Sequence, residues 1–195
     1  MKKLVLLFFL VAFISCGKLP ETRYFTLNYD MEQQPEAGHG ILFVKKFQTD
    51  PIYNNDKMIY KVSDYEVKFD NYRRWVLTPG DMLTVQATDH LRHSGMFDWV
   101  TNLPPRNREY KVLDGRVIHF EEIYEKEKRF VDVGIVFAMY LSHSEVPVLN
   151  KTIEQRVEIT QPGVNGIVSA MSKATQMVLD QLVSDLKYQG PGNDQ

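Results

Sequence analysis

Cysteine occurs only once in this chain, at Cys16, so an intrachain disulfide is excluded and the fold must be held by its core. No apolar run reaches the roughly 20 residues that a transmembrane helix needs, which excludes a helical integral membrane protein. An excess of one charge is missing too. The 23 Lys and Arg stand against 25 Asp and Glu, and without a clustered basic face there is no footprint for nucleic acid. Motifs are equally sparse: no G-x-S-x-G elbow, no phosphate loop, no H-E-x-x-H pair and no dinucleotide fingerprint. What is present is a 44% hydrophobic, 12% aromatic composition, which fits a packed globule and not a disordered chain.

The single cysteine closes the apolar run of "MKKLVLLFFLVAFISCGKLPE". Lys2 and Lys3 form a positive head, Leu4 to Ile14 an apolar stretch, and Ile14-Ser15-Cys16-Gly17 a small-residue end. That is the three-part layout of a secretory signal. A small residue directly before cysteine matches bacterial lipoprotein signals, so residues 1–15 read as a lipoprotein signal peptide and Cys16 as the lipidated first residue of the mature chain. Acylation consumes the thiol as a thioether. One acyl chain, at about 0.8 kcal/mol per buried CH2, binds only reversibly; the three chains of a mature lipoprotein hold durably. Gly17 stands where an Asp would resemble an inner-membrane retention signal, which points to the outer membrane. Losing Lys2 and Lys3 takes the formal charge from −2 to about −4.

Residues 16–23 read as a tether, 24–187 as one domain and 188–195 as a tail. "YFTLNY", "ILFVKKF", "MIYKVS" and "YEVKFD" are strand-like. In "VLTPGDMLTVQATDHLRHSG", Thr78 suits a helix cap, Pro79 the first position, Asp81 the positive end and Gly95 the stop. Leu83, Ala87, Leu91 and Ser94 would share one face of it. In "REYKVLDGRVIHFEEIYE", Asp114-Gly115 offers either a hairpin turn or a bulge in one long strand, and the short arm before it favours the bulge. Val131, Val133, Ile135, Phe137, Met139 and Leu141 form an unbroken apolar face, the clearest strand in the chain. "VLNKTIEQRVEIT" is expected to pair with it. From Val164, Ile167, Val168, Met171, Ala174, Val178, Leu182, Val183 and Leu186 recur at helical spacing, predicting a helix over 164–187. The fold class is α+β, a mainly antiparallel sheet with two helices packed on one face.

Candidates for chemistry are few. His90 and His93 lie three apart beside Asp89, a spacing that can set two imidazoles on one helix face, but without a third ligand they carry little weight. No metal or cofactor is expected. The charged run "HFEEIYEKEKR" reads as a solvated turn. Tyr72, Trp75, Phe97 and Trp99 bracket the first helix, either as core staples or as interface anchors. Tyr72, Trp75 and Trp99 are the candidate partner-binding residues.

The order of these signals resembles that of the ABC-type transport auxiliary lipoprotein family: the lipobox at Cys16, then Tyr24-Phe25-Thr26-Leu27, Ile59 and Tyr60, Tyr72, Trp75 and Pro79, Gly95 and Phe97, and the Val/Ile-rich strand before the final helix. The resemblance implies a non-enzymatic component of an envelope lipid-transport system. It would sit on the periplasmic side of the outer membrane and meet a mammalian-cell-entry (MCE) protein, with the chemistry delegated to a separate ATPase. Assembly as a homo-oligomer stays open. A lipoprotein that helps assemble an outer-membrane protein is the alternative and predicts a barrel partner. A small hydrolase is the weakest reading, for want of any nucleophile paired with a base.

Overall fold

A computed structural model describes residues 20–34 and 38–188. In chain order these form β1 (Arg23–Phe25), β2 (Ile41–Val44), β3 (Gln48–Thr49), a 3-10 turn (Pro51–Tyr53), β4 (Lys57–Ser63), β5 (Glu66–Trp75), α1 (Pro79–His93), β6 (Trp99–Thr101), β7 (Lys111–Glu125), β8 (Lys128–Leu141), β9 (Leu149–Glu158) and α2 (Gly163–Tyr188). The expected signal peptide and Cys16 lie outside the described residues, as does the tail beyond Tyr188. No helix among the described residues is long and apolar enough to cross a membrane.

β8 is the spine. It pairs antiparallel with β7 along its whole length and with β9 on its other edge. Strand alternation turns Val131, Val133, Ile135, Phe137 and Met139 to one face, where all five are buried. α2 lies over them and buries Ile167, Met171, Ala174, Val178 and Leu182. Each such large apolar side chain contributes about 1.5–3 kcal/mol on leaving water.

The free edge of β7 takes the chain from Ile41 to Ser63 in three short parallel pieces: β2 beside Lys111–Leu113, β3 beside Arg116–Val117, and β4 beside Glu122–Ile123. β6 extends the sheet from β2, β5 from β4, and β1 from β5. The long ladders are therefore antiparallel, and every parallel pairing is short. α1 packs on the same face as α2 and joins the same core.

α1 starts and stops where its sequence dictates. Thr78 caps it by accepting from the Asp81 N–H, and its hydroxyl donates to Asp81 Oδ2 at 2.8 Å. Lys46 bonds Asp81 at 2.6 Å, and that contact holds the Asp81 carboxyl below the usual range. Gly95, at φ +68, takes the left-handed conformation that ends the helix.

Asp114-Gly115 is not the bulge. Those residues pair regularly with Ala138 and Phe137, and the ladder slips instead at Ile118, between Val117 and His119. The glycine serves a close approach: a Cβ at 115 would lie 2.7 Å from the Phe47 ring, which meets Phe137 edge to face at 5.9 Å. The Phe47 N–H donates to Thr84 Oγ1 at 2.8 Å, and that hydroxyl donates to the Gly80 carbonyl at 2.6 Å. Phe47 thus ties α1, through its N–H, to the two central strands, through its ring.

Candidate functional site

The three aromatic candidates separate in the fold. Trp75 is 2% exposed and packs on Phe120, ring centroids 5.2 Å apart, so it belongs to the core and is corrected from partner anchor to staple. The last residue of β5 is covered because β1 pairs beside it and the core closes beneath. Tyr72 is 44% exposed on β5 and Trp99 51% exposed on β6. They lie far apart along β7: β5 reaches it through β4, which pairs at Glu122, and β6 through β2, which pairs at Lys111. They do not form one patch. Phe97 is half-buried against the core.

The sheet face turned away from the helices carries an open groove of about 510 Å³, lined by Lys61, His119, Asp132, Glu154 and Arg156 among others. Beneath it lies Glu121, whose side chain has no exposure. Tyr53 donates to its Oε2 at 2.6 Å, as does the Phe120 N–H at 2.6 Å. Lys61 Nζ stands 2.6 Å and His119 Nδ1 3.3 Å from its Oε1. Both oxygens are engaged, so this carboxylate is a structural hub and not a free base. Burial first, then the Glu121 charge, pushes the Tyr53 hydroxyl well above its ordinary value, so it stays protonated as a donor.

Only the end of the charged run is the solvated turn that its composition predicts. Glu121 and Glu122 are buried, while Glu125, Lys126 and Glu127 are exposed at the β7–β8 turn. Glu122 faces Arg129, whose Nε donates at 2.5 Å. Arg156 bonds Asp132 through two nitrogens and Glu125 through one. Asp132, before the other contacts, raises its pKa above the ordinary value. The signal available beforehand was that Glu121 and Glu122 sit inside a strand pattern, one on each face, where adjacent charges need internal partners.

His90 and His93 turn to different partners. His90 Nε2 lies 3.1 Å from Asp180 of α2, and His93 Nδ1 lies 2.7 Å from the Asp89 carbonyl of its own helix. Burial, the largest influence, holds the His90 imidazole below its ordinary value, with Asp180 opposing. No group of three His, Cys, Asp or Glu among the described residues is placed to hold a metal ion.

The geometry defines a helix-backed, mixed α+β sheet whose buried charges build structure. The model of the ABC-type transport auxiliary lipoprotein component family matches residues 25–183, and the chain belongs to that family. No curated protein matches the sequence. Solved structures of similar fold include protein XCC0632 from Xanthomonas campestris, 16% identical, TM-score 0.74, over 86% of this chain and 96% of that one. The hypothetical protein CT253 from Chlamydia trachomatis is 6% identical, TM-score 0.54, over 80% of this chain and 100% of that one. At such identities the likeness is one of fold alone.

Proposed function

We propose that this protein is a non-enzymatic docking component of an MCE-linked ABC transport system, anchored through Cys16 on the periplasmic side of the outer membrane. The observation that carries the reading is the family match over residues 25–183, which begins just beyond a lipobox-like Ser15-Cys16. An auxiliary transport lipoprotein acts through contact, and tethering raises its effective concentration near a membrane-borne partner enough for a modest interface to suffice. Trp99 is the aromatic we assign to that partner. It stands where β7 begins, the end at which the loop between β8 and β9 also exposes Val146. Joining the two proteins would give lipids a sheltered route across the periplasm.

Crosslinking in native membranes tests the proposal. A photoreactive side chain at position 99 should recover an MCE protein. Recovery of a barrel-assembly protein in its place would overturn the docking role in favour of outer-membrane assembly.

A further inference from the structure

Resting on the proposed anchoring at Cys16, we propose that the tip of the β4–β5 hairpin, centred on Tyr65, sits in the headgroup layer of the bilayer that holds the anchor. The first support is strand direction. β4 runs parallel to β7, so the β4–β5 turn and the β7–β8 turn lie at the same end of the sheet. β5 runs back from that end, and β1 is parallel to β5. β1 is therefore entered from the end that carries both turns.

The second support is reach. Tyr24 is level with Arg74, and Arg74 is level with Lys57. From Lys57 to Ser63, β4 climbs about 20 Å at the strand rise of about 3.3 Å per residue, and the Asp64-Tyr65 turn stands beyond it. From Tyr24 back to Cys16 the chain spans at most about 26–29 Å when fully extended. Even a fully stretched tether brings the acylated residue barely past the turn. With its acyl chains in the bilayer, Cys16 cannot hold the domain clear of the surface.

The third support is composition. Tyr65 is 98% exposed at the tip, and Tyr124 is exposed beside the neighbouring β7–β8 turn. Tyrosine suits a membrane–water interface because its ring is apolar and its hydroxyl stays hydrated. Asp64, Glu66 and, on the neighbouring turn, Glu125 and Glu127 set the depth: carboxylates stay with water, so the contact is at headgroup level and does not enter the hydrocarbon. Trp99 at the opposite end then points away from this membrane.

Fluorophore depth measurements test the contact. With Cys16 acylated, Asp64→Cys and Leu103→Cys each provide a single free thiol for an environment-sensitive dye, and both residues are exposed. The lipidated full chain is reconstituted in phosphatidylethanolamine and phosphatidylglycerol vesicles and recovered by flotation. The dye at 64 should shift to the blue, lose most of its quenching by iodide and become quenched by brominated acyl chains, while the dye at 103 behaves as in water. A floating protein whose dye at 64 also behaves as in water overturns the contact and leaves the anchor intact. A chain that does not float overturns the anchor, and the contact with it. Shielding at 64 in unanchored Cys16→Ser without vesicles would assign the tip to self-association and overturn the membrane contact.

Discussion

Gly115 lies directly beneath the ring of Phe47, and a single added methyl would stand 2.7 Å from Cδ1 of that ring. Phe47 cannot retreat, because Phe137 lies edge-on at 5.9 Å and its N–H is held by Thr84. Gly115→Ala should therefore cost about 1–3 kcal/mol, as overpacking of a tight core does. In a Phe47→Leu background, where the ring is gone, the same change should cost less. Urea unfolding of the four proteins in this cycle measures the coupling, and additive losses would show that the contact does not constrain the glycine.

Phe137 is fully buried on the apolar face of β8. Phe137→Ala removes a ring wedged between Phe47 and the α2 side of the core, and should lower the unfolding free energy by about 3–5 kcal/mol. A small change in the urea midpoint would mean that the core closes around the loss.

That face was legible beforehand because alternation over the odd positions from 131 to 141 has only one reading, and α2 was legible because its apolar residues recur at helical spacing. The β6 strand at Trp99–Thr101 and the β3 pair were not, since two or three residues carry no period and their partners are remote in sequence. Trp75 and Trp99 look alike locally. Only the pairing of β1 beside Trp75, and the edge position of β6, make one core and the other surface. Asp114-Gly115 suggested an irregular strand, yet the glycine answers to Phe47, a neighbour that no local pattern announces. Tyr53 and Lys61 became visible as partners of Glu121 only once β4 and the 3-10 turn were laid beside β7.

Tyr53→Phe tests the hub beneath the groove. It keeps the ring and deletes only the hydroxyl that donates to Glu121 Oε2, leaving that buried oxygen with the Phe120 N–H alone. The expected loss is about 1–3 kcal/mol, the cost of under-satisfying a buried charged acceptor. An unchanged unfolding free energy would mean that the hydroxyl contributes nothing to holding the carboxylate.

His90 makes stability depend on pH. Its folded pKa is depressed below the ordinary value of 6.5, chiefly by burial and against the pull of Asp180. As pH falls, the unfolded chain takes up this proton first, so the contribution of the neutral imidazole is present above about 6.5 and is lost below it, down through the folded pKa. Unfolding free energy should therefore decline between about pH 7.5 and about pH 5.5, and His90→Gln should decline less steeply. Urea titrations across that range decide it; equal slopes would sink the assignment.

The proposed anchor at Cys16 offers the most direct functional test. Wild-type protein should incorporate labelled fatty acid and Cys16→Ser should not; wild-type protein found soluble in the periplasm without label would overturn the lipidation. Deleting the gene should sensitise cells to detergent, and wild-type protein should restore resistance. Cys16→Ser keeps the whole domain from β1 to α2, so its folding should match that of the wild type, but without the anchor its local concentration at the membrane falls and a modest interface no longer holds. It should therefore rescue poorly at equal abundance, and extra copies should improve the rescue. Full rescue by Cys16→Ser at wild-type abundance would mean that the domain finds its partner unaided and that the tether is dispensable to its role.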